Sequence, residues 1–147
     1  MSIVAYAHSS YYYLILIIPF FGWAISRLKP ISINRKLKME SLRKVIAEGG
    51  ERIQEGYAVL VFPEGTRKNP KDGIGKFGNS CGVLAANQSV PIIPICHNSG
   101  KYWLNKSFKK KSGDISIVVG KPLYGSDPKK LTEESRSWIK KTYSIIG

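Results

Sequence analysis

Tyr57-Ala-Val-Leu-Val-Phe62 runs straight into Pro63-Glu-Gly-Thr-Arg67. The first six residues are a short continuous apolar run, the pattern of a strand buried on both faces by flanking helices. Pro63-Glu-Gly65 stops it abruptly. The turn then presents a carboxylate, a hydroxyl and a guanidinium outside the carboxyl end of a strand, where open α/β sheets bind their ligands. Arg67 can grip a phosphate through two parallel hydrogen bonds, which a lysine cannot do. Gly65 lets the backbone approach a ligand closely. Glu64 can accept hydrogen bonds from a polyol or orient an arginine. The competing reading is a strand-end turn with a surface Glu–Arg pair of little energetic consequence.

On the amino-terminal side, Met39, Leu42, Val45, Ile46 and Ile53 recur at helical spacing, predicting a helix from Lys36 to Glu55. Gly49 and Gly50 are expected to break it near its last turn, and Gly56 to end it. On the carboxyl side, Thr66 to Gly78 is rich in Gly, Lys and Asn and reads as a loop. Ser80 to Asn87 predicts a short helix of small residues packed close to the sheet. Val90-Pro-Ile-Ile-Pro-Ile95 predicts an edge or irregular strand because of its two prolines, and Ile115 to Val119 a further strand. Asp127-Pro128 is an N-cap followed by Pro at the first helical position. Leu131, Trp138, Ile139, Thr142 and Ile146 line one face of the helix that follows. Strands separated by helices predict an α/β domain with a mainly parallel sheet.

The chain has 147 residues, enough for one core and no second domain. Its 23 basic against 10 acidic side chains leave a net charge of +13, which favours an anionic partner. Cys81 and Cys96 are the two cysteines, too few for a disulfide framework, and no metal site is expected. Residues 1–26 carry no Asp, Glu, Lys or Arg, so composition divides the chain into 1–26 and 27–147. The apolar stretch Tyr11 to Ile25 is 15 residues long and holds Pro19 and Gly22. It is short for a spanning helix of ~20 residues, which leaves a buried core element or an interfacial segment. The cationic Arg27, Lys29, Arg35, Lys36 and Lys38 follow, and such residues stay on the cytoplasmic side.

Ile31-Ser-Ile-Asn-Arg35 delivers a second candidate anion-binding arginine, Arg35, from the end of a short alternating stretch. Gly73-Ile-Gly75-Lys-Phe-Gly78 matches a dinucleotide fingerprint, but it follows a loop rather than a strand, and it is rejected. His8 and His97 are the two histidines; His97 follows a strand and reads as a structural, hydrogen-bonded residue, with a polar pocket residue as the alternative. Lys101 to Lys111 interleaves five lysines with Tyr102, Trp103, Leu104 and Phe108, which suits an anionic membrane interface or single-stranded nucleic acid. A solvated basic loop fits the same residues.

Together these motifs resemble the lysophospholipid acyltransferase superfamily, in particular the bacterial 1-acylglycerol-3-phosphate acyltransferases. The resemblance is carried by Ile18-Pro-Phe-Phe-Gly-Trp23, Ile33-Asn-Arg35, Phe62-Pro-Glu-Gly-Thr-Arg67 and Val90-Pro-Ile-Ile-Pro-Ile95, in that order, from about Leu16 onward. It implies a single glycerolphosphate-acyltransferase-like domain. The implied reaction moves a fatty acyl group from acyl-CoA or acyl carrier protein to lysophosphatidic acid, giving phosphatidic acid for phospholipid biosynthesis. The acyl thioester is a co-substrate, and no cofactor is expected. By resemblance Arg35, Glu64, Gly65, Thr66 and Arg67 bind the glycerol phosphate, while Pro91 and Pro94 shape the acyl side. The implied location is the cytoplasmic face of a bacterial inner membrane, against an anionic lipid surface.

One departure bears on the chemistry. The family's first block is Asn-His-x-x-x-x-Asp, whose His removes the proton of an alcohol too weakly acidic to ionise near neutrality. Five residues beyond His8 stands Tyr13, not Asp, so no residue is assigned as the base. Asn34 and Gly78 depart from the family's usual residues as well. The expected account is a chain shortened at its amino end, and its alternative a catalytically incompetent lipid-binding fragment. A nucleic-acid module would leave the Phe62–Arg67 block unexplained, and no nucleic-acid partner is expected.

Overall fold

The helix expected over Lys36–Glu55 forms as α1, Lys38–Gln54, and it does not break at its glycines. Gly49 and Gly50 are both buried, so packing on that face offsets a helical penalty of about 1 kcal/mol each. Its end is a Schellman motif at Gly56, φ +84°, with Tyr57 N donating to Arg52 O (2.8 Å) and Gly56 N to Ile53 O (2.9 Å). A computed structural model describes residues 3–4, 6–8, 19–20, 23, 27, 30–33, 37–66, 68–105 and 107–147. It divides the chain into two compact units, Met1–Phe62 and Pro63–Gly147. The composition boundary at residue 26 falls within the first unit, and most residues around it lie outside the described set.

In the first unit β1 (Ile3–Val4) pairs in parallel with β4 (Ala58–Val59), and β2 (Tyr6–His8) pairs in parallel with β3 (Ile31–Ile33). The β2–β3 register sets His8 opposite Ile33. Ile31 and Val45 are fully buried, with Tyr57 packed against them, so α1 closes over β3. Among the described residues, the apolar run from Tyr57 pairs with β1 at Ala58–Val59. Of the apolar segment Tyr11–Ile25, the described Phe20 and Trp23 are exposed and meet ring edge to ring face at 5.4 Å. The rest of that segment, apart from Pro19, lies outside the described residues.

The second unit packs α2 (Ser80–Gln88) and α3 (Pro128–Ile146) together and sets α3 against the antiparallel pair β5 (Ile95–His97) and β6 (Ile117–Val119). Prolines supply no backbone donor, so the stretch Val90–Ile95 reduces to a single exchange between Ile92 and Leu123 before β5 begins. Among the described residues two strand pairs are parallel and one antiparallel. Gly82 brings α2 onto the first turn of α3, where a Cβ would collide with the Pro128 carbonyl and the Thr132 hydroxyl. The α3 cap is the one expected: Asp127 Oδ1 accepts from Lys129 N (2.8 Å) and Lys130 N (3.3 Å). Leu131, Thr132 and Ser135 are buried on its inner face. No helix among the described residues is long and apolar enough to cross a membrane.

Candidate functional site

Pro63, Glu64, Gly65 and Thr66 form the turn that the sequence placed at a strand end, four residues past β4. Gly65 takes φ +67° with open space where a Cβ would stand, so backbone conformation, not crowding, favours glycine there. Gly78 N donates to Pro63 O at 2.8 Å and returns the following loop to the turn. Within that loop Asn69 Oδ1 caps the 3-10 turn Pro70–Asp72 by accepting from Lys71 N at 3.1 Å. Arg136 of α3 holds the loop's other limb, its Nε donating to Gly75 O at 2.9 Å while its guanidinium pairs with Glu133 at 3.0 Å. Gly75 and Gly78 of the rejected dinucleotide fingerprint thus serve to tie this loop down.

Glu64 is half-buried and Thr66 exposed. Tyr143, on the inner side of α3, senses the carboxylate: its phenol is held above 10.0 by burial first, then by the acidic groups Cys96 and Glu64. Cys96 is buried, its thiol raised by burial and directed to Ile139 O at 3.7 Å. Arg67, between Thr66 and Lys68, and Arg35 both lie outside the described residues. Pro94 is buried, its carbonyl accepting from Gly120 N at 2.8 Å, and Pro91 is half-buried. Both prolines shape this edge of the sheet.

Sequence reasoning missed two residues here. Tyr143 stands four positions after Ile139, a helical repeat that would have placed it on the inner face. Asn98 is buried after β5; its Oδ1 accepts from Ser116 N (2.9 Å), and its Nδ2 donates to Ile146 O (3.0 Å) and Asp114 O (3.5 Å). Nothing in the sequence marks it beyond a polar residue at a strand end. His97, by contrast, is exposed, with Ser99 Oγ 2.9 Å from its Nδ1, a local surface contact. Among the described residues no group of three His, Cys, Asp or Glu could hold a metal ion.

The family model for Acyltransferase matches residues 4–98, which takes in both the turn and the proline-bearing strand. The chain belongs to that acyltransferase family. A 1-acyl-sn-glycerol-3-phosphate acyltransferase of Pseudomonas aeruginosa is 37% identical to it over 138 residues, 90% of this chain and 53% of the relative. A chloroplastic enzyme of the same name from Brassica napus is 31% identical over 90% of this chain and 39% of its own length. The crystal structure of the 1-acyl-sn-glycerophosphate acyltransferase PlsC of Thermotoga maritima superposes with a TM-score of 0.73, covering 97% of this chain and 56% of that one. At 20% identity that likeness establishes the shared fold. This acyltransferase-family chain spans about half the length of the Pseudomonas relative and less of the plant one.

The match also corrects one expectation. It begins at residue 4, not near Leu16, and so includes His8 within the family's own sequence. His8 ends β2, opposite Ile33 on β3, and Arg35 follows Ile33 by two residues in the sequence.

Proposed function

We propose that the chain transfers a fatty acyl group from acyl-CoA or acyl carrier protein to the free hydroxyl of 1-acylglycerol-3-phosphate, giving phosphatidic acid. The reading is carried by an intact Phe62–Arg67 block at a glycine turn in an acyltransferase-family chain. Arg35 and Arg67 take the acceptor phosphate, Arg67 bidentately, as point-charge residues would not. Glu64 accepts from the glycerol, Thr66 offers its hydroxyl, and Gly65 keeps the backbone clear of the ligand. Pro91 and Pro94 fix the strand on the acyl side.

His8 takes the acceptor hydroxyl proton as the oxygen attacks the thioester carbonyl. The C–O bond forms, the C–S bond breaks, and the proton passes to the departing thiolate. A base of near-neutral pKa suits both transfers. Tyr13 stands where the family's Asp would hold the imidazolium, so that position supplies no carboxylate to charged His8. That one residue favours the second reading, a lipid-binding chain without turnover. The acceptor is a membrane lipid, and the working location is the cytoplasmic face of a bacterial inner membrane.

Transfer of labelled acyl groups by purified 1–147 separates the two readings. The enzyme reading predicts slow turnover that His8→Ala abolishes and Tyr13→Asp raises by about 10- to 100-fold, a fraction of what a triad carboxylate supplies. Turnover indifferent to both substitutions contradicts His8 as the base. Absence of turnover in the folded wild type and in Tyr13→Asp alike leaves only lipid binding.

A further inference from the structure

Lys101–Lys111 is a built element rather than a loose basic loop. Its base closes with Lys111 N donating to Tyr102 O at 2.8 Å, and Tyr102 lies where a Cβ on Gly113 would have to stand. Trp103 Nε1 donates to Ser107 O at 2.8 Å, and Lys109 N donates to Ser107 Oγ at 3.2 Å. This framework leaves Phe108 fully exposed, with Trp103 and Leu104 also exposed, and Lys101, Lys109, Lys110 and Lys111, their neighbours in the sequence, are exposed as well. No acidic residue occurs between Asp72 and Asp114.

The geometry points to this loop as the element that seats the protein on an anionic phospholipid bilayer. Phe108 and Leu104 enter the headgroup boundary, and the lysines reach the lipid phosphates. Trp103 suits that depth because its indole donor is already satisfied by Ser107 and leaves no polar group unpaired on losing water. Single-stranded nucleic acid fits less well. Stacking of successive bases needs successive free ring faces, whereas the Lys110 ammonium lies 4.6 Å over the Trp103 ring, Leu104 offers a base nothing, and Phe108 is left as the one fully exposed ring of these three side chains. The loop also stands near the site: a Cβ on Gly100 at its root would lie 3.4 Å from Pro70, in the turn that follows the Phe62–Arg67 block. The inference rests on the lipid reading of that site and names the surface through which a lipid acceptor is met.

Sedimentation of the full chain with vesicles tests it, using phosphatidylcholine alone or with about 30% phosphatidylglycerol. Wild type binds the anionic vesicles. Combined Lys109→Glu, Lys110→Glu and Lys111→Glu weakens that binding by about 100-fold, and Phe108→Ala by about fivefold. A control with the same charge change on and near α3, Lys121→Glu, Lys129→Glu and Lys130→Glu, stays within about threefold of wild type if the loop is the seat. Equal losses from the two triple variants overturn the proposal, as does a loop variant that binds like wild type. Tighter binding of a single-stranded oligonucleotide through the same lysines also overturns it. Circular dichroism confirms that each variant is folded. Transfer to a short-chain, water-soluble acceptor is read in parallel and is unchanged in the loop variant. Loop-dependent vesicle binding without any such transfer in wild type supports docking and removes the acyltransferase reading alone.

Discussion

Asn98 does more for the second unit than its place at a strand end suggests. One side chain joins the start of β6 to the last turn of α3, through Ser116 N and Ile146 O. Asn98→Ala removes these bonds from a buried side chain to an exposed strand end and a half-buried helix end, and is expected to cost about 1–2 kcal/mol, read as a lowered denaturation midpoint. A loss below about 0.5 kcal/mol contradicts this account of the residue. Titration offers a second handle, because burial raises Cys81, Cys96 and Tyr143 above their ordinary values of 9.0, 9.0 and 10.0. For acids raised on folding, the unfolded chain releases its protons first as pH climbs. Stability is therefore full below pH 9 and falls as pH rises through the higher folded values. Denaturation midpoints taken from about pH 8 to 10.5 should decline, and a flat profile contradicts the burial of these groups. Glu64, Gly65 and Thr66 were legible in the sequence as a turn, because Pro-Glu-Gly after an apolar run stops a strand. Asn98 was not, because its partners lie 16 to 48 residues away in the chain, whereas Tyr143 was legible only as a residue on the inner face of its helix.

At the scale of elements, local chemistry was a good guide wherever one residue type has one backbone use. Asp127-Pro128 starts α3, and Gly56 ends α1, because a capping carboxylate and a left-handed turn need no tertiary context. The expected break at Gly49-Gly50 failed since it counted propensity and not burial; both glycines are buried in a continuous helix. The strand over Val90–Ile95 shrank because two prolines cannot donate to a ladder. Gly82 sets the closeness of α2 and α3, so Gly82→Ala forces a methyl against Pro128 O and Thr132. The expected cost is about 1–3 kcal/mol by thermal or denaturant unfolding, and an unchanged midpoint means that the two helices do not approach as described.

For the molecule as a whole, the α/β class was legible from alternating apolar runs, but the direction of the last strand pair was left open. Parallel strands need a crossover, usually a helix, and between β5 and β6 the described residues hold only the 3-10 turn Ser99–Lys101. The antiparallel pairing follows from that missing helix. The net charge of +13 indicated an anionic partner without saying where it binds. The proposed function joins charge and turn into one account, in which arginines hold a phosphate while an acyl group is transferred. Its most direct test is the rate of labelled acyl transfer to 1-acylglycerol-3-phosphate by the wild-type chain and by Arg67→Ala. The account predicts that kcat/KM falls about 100-fold in the variant, mostly through KM, since one bidentate phosphate contact is lost. An Arg67→Ala protein that is folded and as fast as wild type would contradict it.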